Sequence, residues 1–580
     1  MKKWYIFLLI ISVFLLSFVG CTKTEEKKEA TSSQSVKSLS ITKEDAVKKA
    51  DFLYGEKGNP SVAFGIVKDI RIYEPQEPIS IYFYSKSIKE NATLKVNFRN
   101  KAFKVNETRT LKVEKDKEIE PKIDEFKASK NGIYTLTFSI EDESGKELFI
   151  EKKNVGIMPK AQKIADKSFY FGVQPFLVRV LEWNGVTAFD NMDAEKTYDI
   201  TWKYIDFMGA NLVRDGNIWA SMEPTEGDFN FKDNDRLVND CKKRQILLNW
   251  HMGGTPAYAL AEKYIGQSIA WDKPPDLKIW LDYLKNVGEH YKDSSDTIFY
   301  ELINEPNWEF FRGEPKEYTE LLEQSAKLLK SINPKNVVLP GGMVMPHGDK
   351  DDKVYYKKYK ELFDNKLIDL LPYHSHPDFS AFMNDVKSLK SFTSEAGMTT
   401  ENAYLNECGI ETDGIAQAEE VLKKANWARG NNHKGFVMFS FRGYEGGGVN
   451  ASPTWGSISK INEPKELYIA YANMIKMLDG AKTDTPIYND KYFAYLYEKS
   501  NKSILVAYKD GQMNNVPISF KGDLKYKAFD LLGNEITDGS EKNVENSPVY
   551  YVFDQKINKS DIEIKIPEFY KEFVNFNWSE

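Results

Sequence analysis

The sequence predicts a multidomain protein of α/β plus all-β class, a central (β/α)8 TIM barrel flanked by an N-terminal β-sandwich and a C-terminal β-domain. Three observations predict it. The chain has 580 residues, and a single hydrophobic core stops growing at roughly 250 to 300 residues. From about 165 to 480 apolar strand-like runs alternate with amphipathic helical stretches. On both sides of that region the texture changes to short runs of period two, the pattern of half-buried strands.

The N-terminus carries Lys2 and Lys3, an apolar run over 4–19, then Gly20 and Cys21. A short basic stretch followed by an apolar one is the pattern of a secretory signal peptide, expected over 1–20. Phe18-Val19-Gly20-Cys21 resembles a bacterial lipobox, which implies cleavage before Cys21 and a lipid on its thiol. The rival, an uncleaved anchor helix, needs ~20 apolar residues to span a bilayer. Residues 21–40 are polar, with little to bury, and read as the lipidated cysteine and a flexible linker. The expected location is therefore extracytoplasmic, on a bacterial cell surface, tethered to the membrane through the lipid.

Residues 41–160 contain alternating runs at 79–84, 93–98 and 134–139 separated by turn residues, which predicts an Ig-like β-sandwich. Within 165–480 eight strands are expected, at 168–173, 211–215, 245–251, 298–304, 337–342, 368–374, 403–407 and 435–441. Helices are expected between them, including 194–208, 277–291, 316–332, 415–429 and 464–478. That alternation matches a (β/α)8 barrel. A doubly wound open sheet is the alternative, but no glycine-rich phosphate loop follows the first strand. After 484 the chain returns to strands, predicting a C-terminal β-domain to 580.

Composition narrows the function. The chain is 41% hydrophobic and 28% charged, with a formal net charge of −7. That balance argues against nucleic acid and against a polybasic membrane contact. Besides Cys21 only Cys241 and Cys408 remain, too few for a disulfide scaffold. Both are expected to be buried thiols.

In a (β/α)8 enzyme reactive side chains come from the C-terminal ends of the strands. Those positions are polar here. The second strand ends in Arg214, the third in Trp250 and His251, the fourth in Asn304 and Glu305. The sixth ends in Tyr373, His374 and His376, the seventh in Glu407, the eighth in Phe441. Carboxylates on the fourth and seventh strands would face each other across a barrel mouth. Glycosidic cleavage needs such a pair, one acid to protonate the leaving oxygen and one carboxylate to attack or stabilise the anomeric carbon. The His374-x-His376 pair also invites a metal reading. Alternate residues of a strand share a face in any case, and no third ligand stands at a convincing spacing, so no metal and no cofactor are expected.

Ile303-Asn304-Glu305-Pro306-Asn307 resembles the Asn-Glu-Pro signature ending the fourth strand in clan A glycoside hydrolases. Leu405-Asn406-Glu407-Cys408-Gly409 is similar to the segment where that clan places its nucleophile. Gly209-Ala-Asn-Leu-Val-Arg214, the loop at 219–231, and Trp455-Gly456 with Pro464-Lys465 extend the likeness over 165–480. The subfamily it leans toward is family 39. The resemblance implies a retaining glycosidase with Glu305 as acid/base and Glu407 as nucleophile. Arg214 would support the nucleophile and Asn304 would bind the sugar 2-hydroxyl. Trp250, His251, Trp308, Tyr373, His374, His376, Phe441 and Trp455 are further candidates to line the sugar site, and the partner is an oligo- or polysaccharide. The sequence departs from the clan at His374-Ser375-His376, where His-x-Tyr is common, so His376 or Tyr373 is expected beside Glu407. It departs again at Phe439 and Phe441, where a tryptophan is common. A catalytically silent glycan-binding lipoprotein is the alternative function.

Overall fold

A parallel sheet of nine strands positions the site. In the computed structural model residues 40–162, 168–182, 193–266, 272–345, 352–443, 454–483 and 486–568 are described. The leader, Cys21 and its linker, Trp271 and residues 569–580 lie outside the described residues. The strands are Tyr170–Val173, Leu212–Asp215, Leu247–Met252, Ile298–Leu302, a fifth in two pieces (Val337–Pro340 and Met343–Val344), Leu371–His374, Ala403–Cys408 and Gly435–Met438. Helices intervene, among them Ala194–Met208, Lys232–Arg244, Leu277–His290, Pro315–Ile332, Phe379–Glu395, Gly414–Gly430 and Glu466–Leu478. The sheet starts on the first piece of the fifth strand, runs through the fourth, third, second, first, eighth, seventh and sixth, and ends on the fifth strand's second piece. Every neighbouring pair is parallel. The two pieces of the fifth strand are separated only by Gly341 and Gly342.

Local chemistry starts and stops the helices. Asp193 accepts from the Lys196 amide, and Gly209 at φ 85° ends the helix it opens. Asp276 and Asp378 cap the helices Leu277–His290 and Phe379–Glu395 in the same way. A capping side chain satisfies an amide that the first turn leaves unpaired.

The side-chain period of two sorts the sheet residues. One set, including Leu212, Leu247, Phe299, Leu339, Tyr404 and Val437, forms its own apolar cluster. Two residues further along the second, third, fourth and seventh strands stand Arg214, Asn249, Glu301 and Asn406, all 0% exposed. A polar layer therefore sits on top of an apolar one. The intervening residues, such as Val213, Leu248, Trp250, Tyr300 and Leu405, belong to the larger core shared with the helices.

On the N-terminal side two sheets share a second core containing Phe64, Phe83, Phe98, Leu136 and Phe138. One has four strands from Phe52–Glu56 to Ile119–Phe126, the other five from Ile72–Tyr73 to Val105–Val113. In Ala92–Asn100 every second residue from Ala92 to Phe98 is buried, the signature of a sheet with one face inside. The C-terminal strands form a six-stranded and a three-stranded sheet around a third core with Leu505, Val544 and Phe553. The other face of the six-stranded sheet packs on helix Gly414–Gly430. There the Tyr508 hydroxyl donates to the Lys423 carbonyl at 2.9 Å. Asn131 and Asn534 join the two flanking regions by a reciprocal pair: the Asn131 amide donates to Asn534 Oδ1 at 2.8 Å, and Asn534 Nδ2 to the Asn131 carbonyl at 2.9 Å. Cys241 and Cys408 are free and buried. Among the described residues no helix is long and apolar enough to cross a membrane.

Candidate active site

Arg214, at the end of the second strand, organises the polar layer. Its Nε and Nη2 fork onto the two oxygens of Glu301, each at 2.8 Å. Nη2 also donates to Asn304 Oδ1 at 2.6 Å, and Nη1 to Gln174 Oε1 at 2.9 Å and to Glu407 Oε2. One guanidinium thus ties together the ends of the first, second, fourth and seventh strands. Glu301 receives two more donors, Asn249 Nδ2 at 2.7 Å and the Gly342 amide at 3.3 Å. Burial alone would raise its carboxyl, but the charge and hydrogen bonds of Arg214, the charge of His374 and the Asn249 hydrogen bond together overcome burial and hold it below the ordinary value.

Glu407 is 5% and Glu305 3% exposed. Burial again pushes the Glu407 carboxyl up. The charges of His374 and Arg214 and a hydrogen bond from His376 overcome it and hold Glu407 well below the usual carboxylate range. His376 Nε2 stands 3.4 Å from Glu407 Oε1. Glu305 has a different environment. Its Oε1 is 2.6 Å from His374 Nδ1, and its Oε2 is buried without a hydrogen-bond partner among the described residues. One oxygen from Glu305, one from Glu407 and a ring nitrogen of His376 all lie within 4.8 Å of one another.

The backbone around Glu305 is strained. Ile303 sits at φ 66° and Glu305 at φ 43°, a region costly for a β-branched residue and tolerated where the surroundings hold it. Two glycines make room. A Cβ on Gly341 would lie 1.7 Å from the Ile303 carbonyl oxygen, and one on Gly342 would lie 2.1 Å from His374 Nε2. The break in the fifth strand is where that strand passes the turn carrying Glu305.

An aromatic wall stands beside Glu407. His376 lies 5.2 Å from the Trp455 ring and 5.4 Å from Phe439, and Phe176 packs on Phe439 at 6.1 Å. Arg179 stacks on Phe176 at 5.0 Å, and its Nη2 lies 2.9 Å from His251 Nε2. A guanidinium only donates, so His251 Nε2 accepts and the ring proton sits on Nδ1. Burial, then the charges of Arg214 and Arg179, keep that imidazole neutral by holding its pKa well below the ordinary value.

No protein-family model matches the chain, and no curated protein matches it in sequence. Solved structures do. A family 39 glycoside hydrolase from the gut symbiont Bacteroides cellulosilyticus WH2 aligns with a TM-score of 0.61 at 16% identity, covering 84% of this chain and 99% of that one. The fold is that of a family 39 glycoside hydrolase. A family 39 β-xylosidase from Caulobacter crescentus aligns with a TM-score of 0.49 at 14% identity, over 68% of this chain and 98% of that one.

Within this glycoside hydrolase fold, the structure brings together Arg214, Asn304, Glu305, His374, His376, Glu407 and, through Arg179, His251. Trp455 joins them on His376. It does not bring Trp250, Tyr373 or Phe441. Trp250 donates from Nε1 to the Asn217 carbonyl at 3.1 Å and packs on Tyr291. Tyr373 pairs its hydroxyl with His433 Nε2 at 3.0 Å, so of the two candidates expected beside Glu407 only His376 is there. Phe441 packs on Tyr468. For Trp250 and Tyr373 the reason is parity, because both occupy the alternation that faces the helices, whereas Phe441 lies past the end of the eighth strand at Met438 and packs into the core. Trp308 is 37% exposed and packs on Phe310 at 6.2 Å. Sequence reasoning missed Glu301, Asn249, Gln174 and Arg179. For the first two a signal existed, since each stands two residues after the apolar-cluster residue of its own strand.

Proposed function

We propose that the chain is a retaining glycoside hydrolase that cleaves a β-linked glycan outside the cytoplasm by double displacement. Glu305 serves as acid/base and Glu407 as nucleophile. The observation that carries this reading is the carboxyl pair itself, two buried glutamates with oxygens within 4.8 Å in unlike surroundings. Retaining pairs stand ~5 to 5.5 Å apart, whereas inverting pairs need ~6.5 to 9.5 Å for a water.

The nine-stranded order is read as a closed (β/α)8 barrel in which the fifth strand, broken at Gly341-Gly342, pairs with the fourth by one piece and the sixth by the other. In the first step the Glu305 proton passes to the glycosidic oxygen while Glu407 attacks the anomeric carbon, breaking the bond to the leaving group and forming a glycosyl ester. In the second, Glu305 takes a proton from water as that water attacks the anomeric carbon, breaking its bond to Glu407 and releasing the carboxylate. Arg214 keeps Glu407 ionised through both. His374 orients Glu305 through Oε1 and leaves Oε2 to face the leaving oxygen. Asn304, fixed by Arg214 Nη2, binds the 2-hydroxyl. His376, Phe439 and Trp455 offer a wall for the sugar ring, and the lipid on Cys21 anchors the enzyme at the cell surface.

One observation favours a second reading, a metal-dependent hydrolase, because Glu305, His376 and Glu407 form a donor set able to hold a divalent ion. The experiment is a hydrolysis screen of residues 41–580 on aryl β-glycosides and β-linked polysaccharides, with Glu305→Gln and Glu407→Gln alongside and each assay repeated with chelator. The proposal expects turnover that both substitutions abolish on natural glycans and that chelator leaves intact. Loss of turnover on chelation would replace it with the metal reading. Failure on every glycan would favour a silent glycan-binding protein.

A further inference from the structure

Arg214 presents a single nitrogen, Nη1, to Glu407. A guanidinium beside a carboxylate ordinarily forms a two-pronged fork, with two parallel N–H···O bonds covering both oxygens. Arg214 does form such a fork, but with Glu301, through Nε and Nη2 at 2.8 Å each. Only Nη1 is left to point toward Glu407 Oε2. Glu407 Oε1 is consequently not covered by the guanidinium and stands 3.4 Å from His376 Nε2.

We infer that Glu301 is a positioning residue for the reaction: by occupying the forked edge of Arg214 it keeps Oε1 of Glu407 available to attack the anomeric carbon. Its placement fits the task. It is fully buried, it lies away from the carboxyl pair on the far edge of Arg214, and Asn249 and the Gly342 amide fix the orientation of its carboxylate. It offsets the Arg214 charge with a charge of its own, so Glu407 is not the cation's sole partner. Without Glu301 the nearest remaining carboxylate for the fork is Glu407, and a fork there would tie up the attacking oxygen. A displacement of about 1 Å between reacting groups is enough to cost on the order of 10²-fold in rate.

The inference rests on the proposed retaining chemistry, and the test separates the two. Wild type, Glu301→Gln, Arg214→Lys and the double variant are compared on a series of aryl glycosides that the wild type hydrolyses, with leaving groups of graded pKa. Glu301→Gln is expected to lower kcat/KM by roughly tenfold or more for good and poor leaving groups alike, because the nucleophile's step is slowed whatever departs. KM should move little. Since Glu301 acts through Arg214, Glu301→Gln should add no further loss in the Arg214→Lys background, where no fork exists; such non-additivity marks a shared pathway. A merely structural role would change the folded fraction rather than the rate per folded molecule, which circular dichroism and active-site titration read. Asn249→Ala, which removes one of the bonds holding Glu301, gives the same signature in weaker form should Glu301→Gln fail to fold. Full activity in Glu301→Gln, or additive losses in the double variant, would overturn the inference while leaving the carboxyl pair intact. No turnover by the wild type on any glycoside would instead count against the underlying function.

Discussion

Glu407 and Glu305 have the same side chain and nearly the same burial, so the roles proposed for them rest on what touches them. Glu407 meets a guanidinium and an imidazole, Glu305 an imidazole alone. Because the Glu407 pKa lies below the ordinary carboxylate value, the group stays ionised as pH falls, and the acid limb of kcat/KM is expected well below the usual carboxylate range. Arg214→Met removes one of the charges that lower the group, leaving that of His374, and leaves the burial that raises it. Its acid limb should therefore move up in pH, which a kcat/KM profile reads directly. The same variant leaves Glu301 and Glu407 without their buried partner, a loss of about 3 to 5 kcal/mol by denaturant unfolding. Glu305→Gln should lower kcat/KM for glycosides with poor leaving groups by roughly 10²- to 10⁴-fold and spare kcat/KM for those whose leaving group needs no proton, while the unassisted water step slows their kcat. Equal losses across leaving groups would remove Glu305 from the acid role.

At the scale of elements, the site depends on strands that end irregularly. Past Leu302 the chain turns through positive φ at Ile303 and Glu305, and the seventh strand shifts register between Leu405 and Cys408. The two glycines of the fifth strand adjoin these irregularities. Gly341→Ala would drive a methyl into the Ile303 carbonyl and is expected to destabilise the fold, overpacking costing about 1 to 3 kcal/mol in urea unfolding. Gly342→Ala would push on the His374 ring instead, so turnover should fall further than stability does. The same irregularities decide what could be read from sequence. The eight strands were legible because a parallel sheet covered by helices leaves apolar runs, and Asn304-Glu305-Pro306 stood out as a motif. Trp250 and Tyr373 drew attention as polar-edged aromatics near strand ends, but the period of two turns them to the helices. Glu301 lies in the interior of an apolar run, where its charge was the available signal. Its partnership with Arg214 joins the second strand to the fourth, and no local pattern encodes that pairing.

For the whole molecule, the flanking regions are part of one folded unit. The Tyr495, Tyr508 and Tyr550 face of the C-terminal sheet belongs to the same core as the parallel sheet's helices, and Asn534 reaches the N-terminal sandwich at Asn131. Asn534→Ala leaves the buried Asn131 amide unpaired and should cost about 1 to 3 kcal/mol, read as a lower urea midpoint with turnover at saturating substrate unchanged. Deleting residues 486–580 would remove that tyrosine face, expose the buried side of helix Gly414–Gly430 that it covers, and is expected to yield protein that aggregates; a soluble, active truncation would show that the sheet is dispensable. The all-β sheets besides the parallel sheet were visible from the change in hydrophobic period. The asparagine bridge was not, since its partners lie some four hundred positions apart.

The most direct test of the double displacement is to trap its covalent stage. The protein is incubated with a 2-deoxy-2-fluoro glycosyl fluoride of the sugar that the hydrolysis screen selects, and the intact chain and its peptides are weighed by mass spectrometry. The account predicts a gain of one fluoroglycosyl residue, carried by the peptide containing Glu407 and absent in Glu407→Gln. A label on another residue, or an unlabelled enzyme that releases product of inverted anomeric configuration, would contradict it.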